Sequence, residues 1–251
     1  MPLRLATSAP VEDLADVIAP APAAIVQGDE PFGMQAFRAP EGLLWLKWRT
    51  LEKELKADGA RLRECEASPE SCSGEASKFS TLVGQLKTFD GRTRLERVNQ
   101  LVNSAIMYAS DLSLHGQLDR WSAPLATLKL GRGDCEDYAI LKYQLLVESG
   151  VRTSDLKIVL VRDTSVRIDH AVLSARVGKE WFVLDNRRSG FYAERDLPHY
   201  MPLFALDREG VKLFAAPFAS LPALHADEAT LPGLNDEVSL PAMADTLPVL
   251  L

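Results

Sequence analysis

Apolar positions recur at helical spacing through the first half of the chain. Between Glu41 and Cys65, Leu44, Trp48, Leu51 and Leu55 are spaced four, three and four, which predicts an amphipathic helix. Phe79, Leu82, Val83 and Leu86 give a second helix, over Ser77 to Lys87, one apolar face. Asp90 or Thr93 can cap a third, whose stripe runs Leu95, Val98, Leu101, Val102, Ala105 and Ile106. The period is lost from Tyr108 to Leu130, which reads as a connecting loop around Trp121 and Pro124. An apolar run then opens at Cys135 and reaches Glu148, the pattern of a buried helix.

The pattern shortens after that helix. Lys157 to Arg162, His170 to Val177 and Trp181 to Asn186 are rich in β-branched and aromatic residues and bounded by turn residues, as strands are. Gly178-Lys179 joins the second and third as a tight hairpin. Counted outward from that turn, His170 lies eight residues back and Asp185 six forward. Bringing them side by side asks for a bulge or a longer loop. Pro198 and Pro202 punctuate an extended edge near Met201 to Leu206, and Val211 to Phe214 adds a last strand. Helices first, then one helix against a hairpin-built antiparallel sheet, is an α+β arrangement. Residues 1–38, rich in Pro and Ala without a period, read as an extended, partly disordered N-terminal arm. Residues 217–251 read as a flexible C-terminal tail, leaving one domain over 39–216.

Composition narrows the choices. A chain of 251 residues that is 47% hydrophobic supplies a real core. A net charge of -7 argues against a nucleic-acid partner. No apolar run approaches the ~18 residues of a membrane span. Met1 to Ala24 lacks the usual order of a secretory leader, since Glu12, Asp13 and Asp16 follow Arg4 without a compact apolar centre. Either the protein is cytoplasmic or a leader is missing from this stretch. Cys65 and Cys72 flank a turn-rich six-residue loop whose spacing can close a small disulfide. That bridge would favour an oxidising compartment. Two free surface thiols are the alternative, and a zinc pair lacks further partners.

Cys135 is then the odd thiol. It follows Gly131-Arg132-Gly133-Asp134 and starts a helix, where unpaired backbone N–H groups and the helix dipole favour the thiolate. The plainer reading is a buried cysteine beside an N-capping Asp134. His170 and Asp185 follow in order on neighbouring strands, which makes a Cys–His–Asp set of nucleophile, base and orienting carboxylate. His115 is a rival base in a polar loop, and His199 and His225 have no supporting context. A zinc site from Cys135, His170 and Asp185 is the competing chemistry.

Three blocks together carry a resemblance: Gly-Arg-Gly-Asp-Cys-Glu-Asp-Tyr-Ala-Ile-Leu-Lys-Tyr from Gly131, then Asp169-His170-Ala171-Val172-Leu173, then Val183-Leu184-Asp185-Asn186. Over about residues 40–210 the chain resembles the bacterial transglutaminase-like cysteine proteinases of LapG type. The resemblance implies a papain-like or transglutaminase-like fold with Cys135, His170 and Asp185 as triad. It also implies a periplasmic, calcium-dependent peptidase that cuts a large surface adhesin. An inner-membrane receptor reading cyclic di-GMP would sequester it.

The acids beside the nucleophile bear on the metal. Asp134, Glu136 and Asp137 oppose thiolate formation, and a divalent cation would remove the repulsion. Carboxylate oxygens suit calcium, so these three are the candidate ligands. The alternative is acids complementing a helix dipole without any metal. The Cys135 N–H would give part of an oxyanion hole, with Trp121 a weak candidate for the rest. Two other functions stay open: a protein transglutaminase transferring the acyl group to an amine, and a calcium-binding interaction domain without turnover.

Overall fold

A computed structural model describes residues 29–215, and the expected tail and most of the expected arm lie outside them. In chain order the elements are β1 (Ala36–Arg38), α1 (Leu43–Ala67), α2 (Gly74–Lys87), α3 (Gly91–Ala105), β2 (Met107–Tyr108), α4 (Asp111–His115), α5 (Pro124–Leu130), β3 (Arg132–Gly133), α6 (Cys135–Glu148), β4 (Leu156–Asp163), β5 (Ile168–Val177), β6 (Glu180–Leu184), β7 (Phe191–Ala193), β8 (Tyr200–Asp207) and β9 (Gly210–Phe214). Seven strands form one antiparallel sheet in the order β1-β9-β8-β4-β5-β6-β7, and β2 and β3 make a separate parallel pair. Helices on an antiparallel sheet give the α+β class.

The apolar stripes become the layer between helices and sheet. Phe79, Leu82, Val83 and Leu86 of α2 and Leu95, Val98 and Val102 of α3 are buried there with Ile140, Leu141, Leu145 and Leu146 of α6. In α1 the buried line runs Trp45, Trp48 and Leu51, with Leu44 and Leu55 only partly covered. The opposite face of the sheet carries a second cluster, in which Val159, Val161, Val172 and Val183 pack with Leu197 and Tyr200. Strand alternation explains the division: Leu160 and Leu173 face the helices while Val161 and Val172 face away.

Two expectations need correction. The stretch from Tyr108 to Leu130 begins on the last residue of β2 and holds two short helices, α4 and α5, rather than a plain loop. Its α5 is anchored from a distance: buried Asp58 of α1 accepts the Leu125 N–H at 2.9 Å, filling the cap that Ala123 cannot provide. Residues 36–38, expected within the arm, form the edge strand paired with β9. Cys65 and Cys72 are joined in a disulfide with their Cα atoms 4.7 Å apart, tying the end of α1 to the loop before α2. Among the described residues no helix is long and apolar enough to cross a membrane.

Candidate active site

Cys135 is the first residue of α6, so its N–H belongs to the unpaired set at a helix start. Gly131 supplies the left-handed turn that ends α5, at φ 64°. Gly133 is required for another reason. A Cβ there would lie 2.6 Å from the Asp137 side chain, so only glycine lets β3 pass this close to the helix. The Asp134 side chain makes no capping bond, contrary to the plainer reading of that residue.

His170 and Asp185 are both fully buried, and His170 Nε2 meets Asp185 Oδ1 at 2.8 Å. The β5–β6 ladder runs without a bulge from Val177↔Glu180 to Leu173↔Leu184 and stops there. The offset of two therefore stays, and the pair meets diagonally rather than across a rung. His170 Nδ1 has no hydrogen-bond partner. The Ala171 N–H reaches the Cys135 sulfur, which sets that thiol against the residue next to His170. The Cys135 thiol itself donates to Glu136 Oε2 at 2.9 Å. Burial, and then the Glu136 carboxylate, push that thiol well above its ordinary pKa.

Residues that the sequence pattern did not single out hold Asp185. The Tyr200 hydroxyl donates to Oδ2 at 2.6 Å and the Arg187 N–H to Oδ1 at 2.9 Å. Burial works against the Asp185 charge, yet the bonds from His170, Tyr200 and Arg187 keep its carboxyl well below the usual range. Tyr200 stays a neutral donor, its pKa pushed up to about 12 by burial and by Asp185. The loop after Asp185 is gripped from α3. Asn103 Nδ2 donates to the Asp185 and Arg188 carbonyls, each at 3.0 Å. Asn99 Nδ2 donates to those of Arg188 at 3.1 Å and Gly190 at 2.9 Å. A polar Asn99 inside an apolar stripe was the available signal. His199, without context in the sequence, lies edge-on to Tyr200 and bonds Arg188.

The acids regroup. Asp111, Asp134 and Asp137 bring one carboxylate oxygen each within 4.8 Å of one another, and Glu136 is outside this set with its oxygen on the Cys135 thiol. Asp134 and Asp137, three apart, share a face of the first helical turn, whereas Glu136 does not. Asp111 Oδ1, Asp134 Oδ1 and Asp137 Oδ2 are buried without partners. Ser122 and Arg120 N–H groups occupy the other oxygens of Asp137 and Asp111. Burial first, then mutual repulsion, raises Asp134, and Asp137 is raised to about 7. Three unsatisfied hard oxygens at this range fit a divalent cation. Trp121 Nε1 is a buried donor without an acceptor.

The bacterial transglutaminase-like cysteine proteinase profile matches residues 59–198. The chain belongs to this family. Legionella pneumophila LapG in its calcium-bound form has a TM-score of 0.53 and 27% identity, covering 64% of this chain and 93% of that one. The EGTA-treated form of the same protein gives 0.51 and 28%, covering 68% and 88%. A UPF0252 protein of Methanocaldococcus jannaschii is 28% identical over 120 residues. The match covers 45% of this chain and spans about a third of that relative's length, at 34%. Family and fold make this a transglutaminase-like cysteine protease, with helices and antiparallel sheet as in LapG.

Proposed function

We propose that the chain hydrolyses peptide bonds in a protein substrate through Cys135, His170 and Asp185. One observation carries the reading: the buried His170–Asp185 pair fixes one ring nitrogen and leaves the other bare, beside the strand residue that touches the Cys135 sulfur. His170 takes the thiol proton at Nδ1 as the sulfur attacks the substrate carbonyl, and the Nε2–H stays on Asp185. The Cys135 N–H donates to the developing oxyanion. His170 then returns the proton to the leaving amine, and water releases the acyl group. In the resting state the thiol is protonated on Glu136, so attack begins with its turn away from that carboxylate.

A calcium ion is part of the proposal, held by Asp111, Asp134 and Asp137, with Glu136 near it. It would neutralise the acids that oppose thiolate formation. The calcium-bound LapG relative supports the choice of metal. Family resemblance extends the proposal to a periplasmic setting, a surface adhesin as substrate and a cyclic di-GMP receptor as partner. The Cys65–Cys72 bridge supports an oxidising compartment.

The test is incubation of unfolded casein with wild type and Cys135→Ala, with new termini read by mass spectrometry. Cleavage by wild type alone is expected, and equal cleavage by both proteins sinks the assignment. A labelled amine distinguishes hydrolysis from transglutamination. For the metal, calorimetry with calcium and with magnesium is the measurement. Calcium should bind more tightly and raise Tm; no heat, and a rate indifferent to chelator, removes the ion.

A further inference from the structure

The β2–β3 ladder ends in an open edge beside the nucleophile. β3 runs directly into Asp134 and Cys135, and Tyr108 of β2 lies opposite Gly133. The bonds to the β3 segment come from the residues on either side of Tyr108. The Met107 N–H donates to the Gly131 carbonyl at 3.0 Å and the Ala109 N–H to that of Gly133 at 2.9 Å. Backbone groups alternate along a strand, so the N–H and C=O of Tyr108 point away from β3. Among the described residues no further strand pairs on that side. Met107 and Tyr108 are 61% and 64% exposed. The Tyr108 phenol lies within electrostatic reach of Cys135, Asp134, Glu136 and Arg187. The segment is fixed from below, because the Tyr138 hydroxyl of α6 donates to the Ile106 carbonyl at 2.7 Å.

We propose that the Tyr108 edge takes the polypeptide substrate as an added strand that leads its scissile bond to Cys135. The proposal rests on the peptidase reading above. Tyr108 donates its N–H to one substrate carbonyl and accepts one substrate N–H on its own carbonyl. A helical substrate segment has both groups committed to itself, so the ligand class is an extended, unpaired stretch of chain. Main-chain pairing supplies the grip, and the side chains of Met107 and Tyr108, on opposite faces of the strand, meet alternate substrate residues.

The experiment compares two alkylating reagents on Cys135: a tetrapeptidyl chloromethyl ketone and iodoacetamide. Their rate ratio measures peptide docking independently of turnover. Tyr108→Pro deletes the outward N–H and keeps the Ala109–Gly133 bond. The ratio should fall about five- to tenfold, the worth of one backbone hydrogen bond. A second arm needs no variant: single N-methyl groups along the reagent, tested on wild type, should give a similar loss at one position. An unchanged ratio in Tyr108→Pro, or a scan with no sensitive position, overturns the proposal. If docking depends on Tyr108 while casein stays uncut, the edge stands and the peptidase reading fails.

Discussion

Tyr200→Phe removes one oxygen from the site and nothing from the apolar packing. That oxygen sits 2.6 Å from Asp185 Oδ2, and both residues are buried. A buried hydrogen bond to a charge is worth about 1.5–3 kcal/mol. The remaining cation near Oδ2 is Arg188 at 3.7 Å, too far to replace it. A loss of about 2 kcal/mol is expected, or roughly 4–8 °C in Tm for a domain of this size. Its pH dependence has a definite sign. Asp185 is depressed in the fold, so its stabilisation is present above the unfolded carboxylate value and is lost as pH falls through the folded one. Removing the Tyr200 bond raises the folded value. The gap between variant and wild type is therefore full at pH 7 and narrows in acid, as Asp185 takes up its proton first in the variant. Urea unfolding at pH 7 and at lower pH measures this, and iodoacetamide labelling of Cys135 reports the alignment of His170. Adding Tyr200→Phe to Asp185→Asn should cost little more, since the bond is already weakened. A variant within about 0.5 kcal/mol of wild type, with a gap unmoved by pH, would refute the reasoning.

Four other outcomes are expected. His170→Ala should be as damaging to turnover as Cys135→Ala, and Asp185→Asn milder, in a steady-state assay. Gly133→Ala should displace Asp137, lowering Tm by calorimetry and weakening calcium binding together. Lys142→Met should stabilise the fold in urea titrations. The Lys142 amine is fully buried without a hydrogen-bond partner, and burial lowers its pKa to about 7, so the gain should be largest below that pH. Replacing Cys65 and Cys72 by Ala should cost about 2–3 kcal/mol, read by denaturant midpoint.

The chain's own order singled out Cys135, His170 and Asp185 as candidates, a thiol at a helix start and then two strand ends joined by a two-residue turn. The structure puts Cys135 at the start of α6 and His170 on Asp185. The diagonal contact of His170 with Asp185 was not legible in that order, because counting from Gly178-Lys179 gives rungs and not where the ladder stops. Adjacency to Cys135 drew attention to Glu136, while the helical face shared by Asp134 and Asp137 points to a third acid elsewhere. That acid, Asp111, is brought in by a helix hidden in an aperiodic stretch. Tyr200 and Asn103 reach Asp185 across the tertiary fold, and local pattern carries no trace of either. Likewise β1 has three residues and no alternation of its own, and its partner is β9.

That last pairing has a kinetic meaning. Ala36 and Phe214 are paired across almost the whole described chain, whereas Val177 and Glu180 are joined by a turn. Closing a loop of about 180 residues costs on the order of 4–5 kcal/mol of chain entropy, against near nothing for the hairpin. A three-residue strand returns little of that alone, so the β1–β9 rung should zip last in folding and open first in the native state. Amide protons of Phe37 and Ala39, which face β9, should accordingly exchange in advance of those around His170 and Leu173. The rim of the sheet can breathe without disturbing the hairpin that holds His170 against Asp185.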